Sequence, residues 1–361
     1  MRILTWPLPI LFVIAFPASG RRQSRQSEPP CENPLVRQEW RELSLEGRLD
    51  FIAAVKCLQV RPGETSVAFS GVRSRYDDFV ALHISQADYV HWVVSIALIS
   101  ILDGTGLFCG CLNKPFGTNV HTEVPYHWTQ DAFDEISILE SPVFDPVYGL
   151  GGNGDFIADI NLFPEERKTE VDVPGRTGGG CLADGPFAGV NASMGPGNHT
   201  EYTPRCIRRD ISPSLMVRAL GAEQLASVLN ASSYFELEHR TEGLALGVEG
   251  ISVHGGGHFG IGGILGDMSN TWSSTVDPIF WLHHGSIDRM WDIWQRADWA
   301  NRKTDIGGPD TQWAYPYNYF GDKAYKNITL DFEMDLGEIG GSVKIRDIMD
   351  AQGKYLCYTY S

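Results

Sequence analysis

Apolar residues recur at helical spacing in three stretches of this chain. Leu45, Leu49, Ile52 and Val55 follow Ser44, whose hydroxyl can cap free amides, and predict an amphipathic scaffold helix from Ser44 to Leu58. From Ser212-Pro213 to His239 the pattern is helical again, with a proline start and Leu215, Leu220, Leu225 and Leu229 as its apolar positions. Asp277-Pro278 opens the third, Asp as cap and Pro at a first helical position where its missing N–H is harmless. Phe280, His284, Ile287, Trp291 and Trp294 then fall on one face. Residues 151–210, rich in Gly and Pro, predict loop, and beyond Gln295 the chain turns polar and loop-like. The expected fold class is mainly α, with long Gly/Pro-rich loops and no repeat marking a domain boundary.

Two apolar runs lie outside this pattern. Residues 1–20 have a basic start, an apolar middle from Leu8 to Phe16 and small residues Ala18-Ser19-Gly20 at the end. They are expected to be a cleaved secretory signal, leaving 21–361 as the working domain; about twenty apolar residues would be needed to span a bilayer. Trp92 to Leu102 is too short to span and is expected as a buried helix or strand.

A formal net charge of −16 argues against nucleic acid and anionic membranes as partners. For an exported chain, the sequons at Asn191, Asn198, Asn230 and Asn327 become glycan acceptors. Seven cysteines, an odd number, leave at least one thiol unpaired or shared between chains. Cys181 and Cys206 could staple the Gly-rich loop, whereas Cys109 and Cys111 stand too close for easy bridging to each other.

The candidate chemistry lies in the histidines. His254 and His258 stand four apart, one turn above each other on a helix, and neutral imidazole is the usual ligand of copper, zinc and iron. The three residues between them are glycine, each costing a helix about 1 kcal/mol relative to alanine, so something beyond local propensity must hold that turn. Close packing or a bound metal would serve. Of the adjacent pair His283-His284, His284 points into the apolar face and His283 lies beside Ile279 and Met290; periodicity leaves open which of them binds. Asp288, with Arg289 after it, is spaced to support a ligand from behind.

The H-x3-H pair, the turn Gly262-Gly263-Ile-Leu-Gly266-Asp267-Met268, and Asp277-Pro278-Ile-Phe280-Trp-Leu-His283-His284-Gly-Ser-Ile-Asp288-Arg289-Met-Trp291 together resemble the second copper half-site of the tyrosinase family of type-3 copper proteins. The resemblance implies a four-helix-bundle core, His254, His258 and His284 as ligands of one copper, His283 as their neighbour and Phe280 as part of the pocket wall. Arg75-Tyr-Asp-Asp-Phe-Val-Ala-Leu-His83 through His91 resembles the entry to the first half-site, with His83 and His91 matching its first two ligands.

The sequence then departs from the family pattern. Twelve residues, Trp92 to Asp103, precede Gly104-Thr-Gly106, and Cys109-Gly-Cys111-Leu112 stands where the family has its Trp-His-Arg; Leu112 takes the third ligand's place. His121 and His127 are the candidate substitutes. Val124-Pro-Tyr126-His-Trp128 resumes the resemblance. The family's activity implies two copper ions, a small phenolic substrate, dioxygen and an o-quinone product, in pigment formation or secondary metabolism. Gly255 stands where many hydroxylating members carry Asn, which favours diphenol oxidation over phenol hydroxylation. The alternative class is a single-metal protein, such as a zinc-loaded lyase, or a catalytically silent secreted glycoprotein.

Overall fold

The computed structural model describes residues 31–87, 124–169, 171–243, 248–311 and 324–361. Its core is helical, as the apolar spacing predicts. Helix α1 (Leu45–Val60) starts at Ser44, whose side chain accepts from the Gly47 amide, and buries Phe51, Ile52, Val55 and Leu58. Leu45 and Leu49 point outward instead. Helix α2 (Arg75–Gln86) begins in a capping box in which Ser74 and Asp77 satisfy each other's free amides. A short α3 (Glu135–Leu139) follows.

The continuous helical pattern expected from 212 to 239 is broken into three: α4 (Pro213–Leu220), α5 (Ala222–Leu229) and α6 (Tyr234–Glu242). Gly221 is extended and interrupts the backbone between the first two. Helix α7 (Val253–Gly262) packs between α4 and the long α8 (Ile279–Ala297). Asp277 starts α8 with its carboxylate accepting from the Ile279 amide.

The 151–210 region is loop punctuated by small antiparallel pairs: β2 (Gly154–Phe156) with β3 (Gly179–Leu182), and β4 (Asn191–Ala192) with β5 (Arg205–Cys206). The Cys181–Cys206 disulfide staples it. The stretch after Gln295 is more ordered than its polarity suggests: β6 (Glu333–Asp335) pairs with β7 (Ser342–Lys344), and β8 (Tyr358–Tyr360) runs parallel to β1 (Leu35–Arg37). A Cys31–Cys357 disulfide ties these ends together. Cys57 is disulfide-bonded as well. Cys109, Cys111 and the Trp92–Leu102 run lie outside the described residues. Among those described, no helix is long and apolar enough to cross a membrane.

Buried ion pairs bind the loops to the helices. Arg209 forms two hydrogen bonds, 2.7 and 2.8 Å, to the Asp277 carboxylate, and both side chains are fully buried. Asp267 takes Arg167 at 3.0 Å, Arg205 at 2.6 Å and the Arg208 amide at 2.9 Å.

Candidate metal centre

Helix α7 owes its glycines to its neighbours. A Cβ on Gly256 would stand 2.6 Å from the Ala219 methyl, one on Gly260 2.3 Å from Met216, and one on Gly257 2.2 Å from the His283 ring. Close packing of α4 and α8 therefore offsets the poor propensity of the run. It also brings α7 near enough to α8 for their histidines to meet. Gly255 is less crowded than these three, its nearest neighbour being Ile251 at 3.2 Å.

His254, His258 and His284, all buried, are brought together with one ligand nitrogen each, all within 4.8 Å of one another. The Nε2 atom of His258 lies 3.1 Å from that of His254 and 3.0 Å from that of His284. Metal–imidazole bonds of roughly 2.0–2.1 Å require neighbouring nitrogens about this far apart. On the outer side, His254 Nδ1 is 2.7 Å from a Glu242 carboxylate oxygen and His258 Nδ1 is 2.8 Å from the Met268 carbonyl. With Nδ1–H donating outward, each ring turns an Nε2 lone pair inward, the arrangement that metal-binding imidazoles use. The donor set fits a divalent copper or zinc ion.

Phe280 stacks on His284 at 4.1 Å and lies 5.2 Å from the ring of His83, so it stands between the triad and the next histidine. His83, on α2, is buried and held by the Trp272 carbonyl 2.7 Å from its Nδ1. Helix α2 is fixed in turn by Tyr76, which donates to the Thr275 carbonyl and accepts from Trp281 Nε1. His91 and His121 lie outside the described residues. His127 sits elsewhere, its Nε2 facing the Arg289 guanidinium at 3.0 Å beside Tyr126 and Trp128.

Asp288 is placed differently from its expected supporting role. Its carboxylate accepts from Tyr358 at 2.6 Å, from Tyr360 and from Arg37 at 3.5 Å, while Arg37 lies 3.3 Å over the Tyr358 ring. It thereby ties α8 to the β1–β8 pair. Sequence reasoning missed Glu242 and the carbonyls of Met268 and Trp272. Backbone carbonyls leave no trace in residue identity. Glu242 did leave one: an acid in the last turn of a helix opposes the macrodipole, and such a position needs another reason.

Burial sets the protonation of the site. It lowers His254 and His83 to about 4 and His283 to about 3, and pushes the Glu242 carboxyl well above the usual carboxylate range. In the metal-free protein these imidazoles are neutral at pH 7, ready to act as donors. Their folded pKa values lie below the unfolded value of about 6.5, so between the two the unfolded chain binds more protons. The imidazoles therefore contribute stability to the metal-free protein that is complete above about pH 6.5 and falls as pH drops towards about 4, while the raised Glu242 carboxyl opposes them, its contribution falling as pH rises above the ordinary carboxylate range. Urea midpoints of the Glu242→Gln chain, which lacks the opposing group, check the histidine contribution across that window, and a flat profile would contradict it.

A family model described as the common central domain of tyrosinase matches residues 112–297, a span that begins beyond His83 and His91. Tyrosinase P of Aspergillus terreus is 30% identical over 357 residues, covering 92% of this chain and 94% of that protein. N-acetyl-6-hydroxytryptophan oxidase of Emericella nidulans is 32% identical over 356 residues, covering 91% and 93%. Among solved structures, a polyphenol oxidase variant from Thermothelomyces thermophila superposes with a TM-score of 0.73 at 28% identity, covering 91% of this chain and 89% of that one.

Proposed function

The chain belongs to the tyrosinase family, and on that premise we propose that it oxidises o-diphenols, and less readily monophenols, to o-quinones with dioxygen. The observation that carries this reading is the convergence of the three Nε2 atoms on one buried point. In the proposal His254, His258 and His284 hold one copper, and His83 and His91 belong to the first half-site.

Copper, when bound as a pair, supplies the redox chemistry between a phenol and dioxygen that no side chain here can supply. The chain's own contribution is positional. Glu242 and the Met268 carbonyl hold protons on the outer nitrogens of His254 and His258, keeping the inner ones basic. Phe280 blocks rotation of the His284 ring by stacking on it and keeps water from that face. Gly255, in place of the amide that many hydroxylating family members carry, favours diphenols over monophenols. The relatives' names point to hydroxylated aromatic substrates, which suits pigment formation or secondary metabolism.

Secretion is part of the same proposal. It rests on the apolar leader, the two disulfides among the described residues, and the exposure of all four sequon residues, Asn191, Asn198, Asn230 and Asn327.

A second reading has its own observation. In the resemblance to the first half-site, Leu112 takes the place of the third ligand, and leucine cannot bind a metal. A chain that holds one ion would lose the two-metal reaction and retain, with zinc, a Lewis-acid site. Metal analysis of the secreted protein, paired with oxygen uptake on catechol, separates the two. Two coppers per chain with uptake are expected; one ion without uptake identifies the single-metal reading, and no bound metal sinks both.

A further inference from the structure

We propose that His283 is a positioning residue that, with Gly257, clamps α7 to α8 and sets where His254 stands relative to His258 and His284. This deepens the metal reading and rests on it. The ring of His283 is fully buried, with its Nε2 2.9 Å from the His254 carbonyl oxygen and its face against Gly257. A carbonyl only accepts, so Nε2 carries the proton and Nδ1 is left as an acceptor. Among the described residues no group meets Nδ1.

The side chain borders a cavity of about 40 Å³, whose lining includes Tyr126, Leu220, Val253, Ser286 and Met290. A space of that size admits a few waters and nothing much larger, since one water needs roughly 10–15 Å³ measured in the same way. Nδ1 itself is sealed from that space, so the tautomer is fixed from the other end, by the His254 carbonyl that accepts from Nε2–H. The chain of contacts then runs from α8, through one imidazole, to the backbone of the first ligand. It bypasses every metal-binding nitrogen.

The geometry also explains why residue 257 has no side chain. Any Cβ there would stand 2.2–2.4 Å from three atoms of the His283 ring, so Gly257 and His283 form one device rather than two independent features. Displacing the ring would free the His254 carbonyl from its cross-helix donor. The imidazole of His254 would keep its Glu242 partner while its backbone shifted.

Two measurements test this. The first uses the metal-free chain and needs no ion. Gly257→Ala and His283→Ala are each expected to lower the urea midpoint, and the double variant to lower it by clearly less than the sum, because the methyl then fills space the ring has left. Additive effects would overturn the clamp. The second is cobalt(II) titration followed by its visible absorption. His283→Gln, which keeps a donor and an acceptor at similar reach, should bind within about two-fold of the unsubstituted chain with the same spectrum. His283→Met, of similar length but without either group, should bind about ten-fold more weakly with shifted bands. Equal behaviour of Gln and Met would reduce His283 to a space-filling residue. If the unsubstituted chain takes up no cobalt, the metal reading fails, while the midpoint cycle still decides whether the clamp exists.

Discussion

Replacing Arg209 by methionine is expected to destabilise the protein by about 3–5 kcal/mol, the cost of leaving one member of a buried ion pair without its partner. Asp277 would keep its charge in a fully buried position, and the carbonyls of Leu150 and Gly151 would lose the guanidinium that now donates to them. The damage should not stay local. Asp277 starts α8, which carries Phe280, His283 and His284, so a displaced start moves the site as well. Pairing Arg209→Met with Asp277→Asn removes the stranded charge and should recover part of the loss, since an amide still accepts from the Ile279 amide. Urea unfolding with metal removed reads both variants. A loss below about 1 kcal/mol for the single substitution would show that the pair is replaceable packing rather than the anchor of α8.

Local pattern was informative wherever local physics decided the outcome. Ser44, Ser74, Ser212 and Asp277 all stand at helix starts, because a short polar side chain satisfies amides that nothing else nearby can reach. The triad was legible for a related reason: four-residue spacing on α7 fixes one face, and the resemblance chose His284 over His283 where periodicity left both open. What stayed hidden depends on contacts far apart in sequence. Nothing local says that Cys31 meets Cys357, 326 residues on, or that Asp288 accepts from Tyr358 and Tyr360. The glycine run is the instructive middle case. Its cost in helix propensity signals a hidden constraint, and the answer, Ala219, Met216 and His283 pressing on α7, is visible only when α4 and α8 are in place. The same limit explains the burial of α1, where spacing alone put Leu45 and Leu49 inside although tertiary placement leaves them in solvent.

Glu242 carries the largest expected effect on metal binding of any residue outside the triad. Its carboxylate accepts from His254 at 2.7 Å and performs two separable tasks there: it fixes which ring nitrogen holds the proton, and, once a bound cation offsets the burial that favours its neutral form, its negative charge makes the other nitrogen a better donor. Glutamine keeps an oxygen acceptor at nearly the same place and loses the charge. Alanine loses both and leaves a buried N–H unsatisfied. Glu242→Gln should therefore weaken copper or zinc binding by about ten-fold and Glu242→Ala by closer to a hundred-fold. Competition against a chelator of known affinity measures each, with circular dichroism confirming that the helices remain. If the two variants fall together, orientation and charge are not separable at this site and the hydrogen bond alone accounts for the loss. If neither departs from the parent chain, the acid at the end of α6 serves only the packing of that helix, and the explanation for its position against the macrodipole has to be sought in Tyr234 and Glu238, which share its electrostatic surroundings.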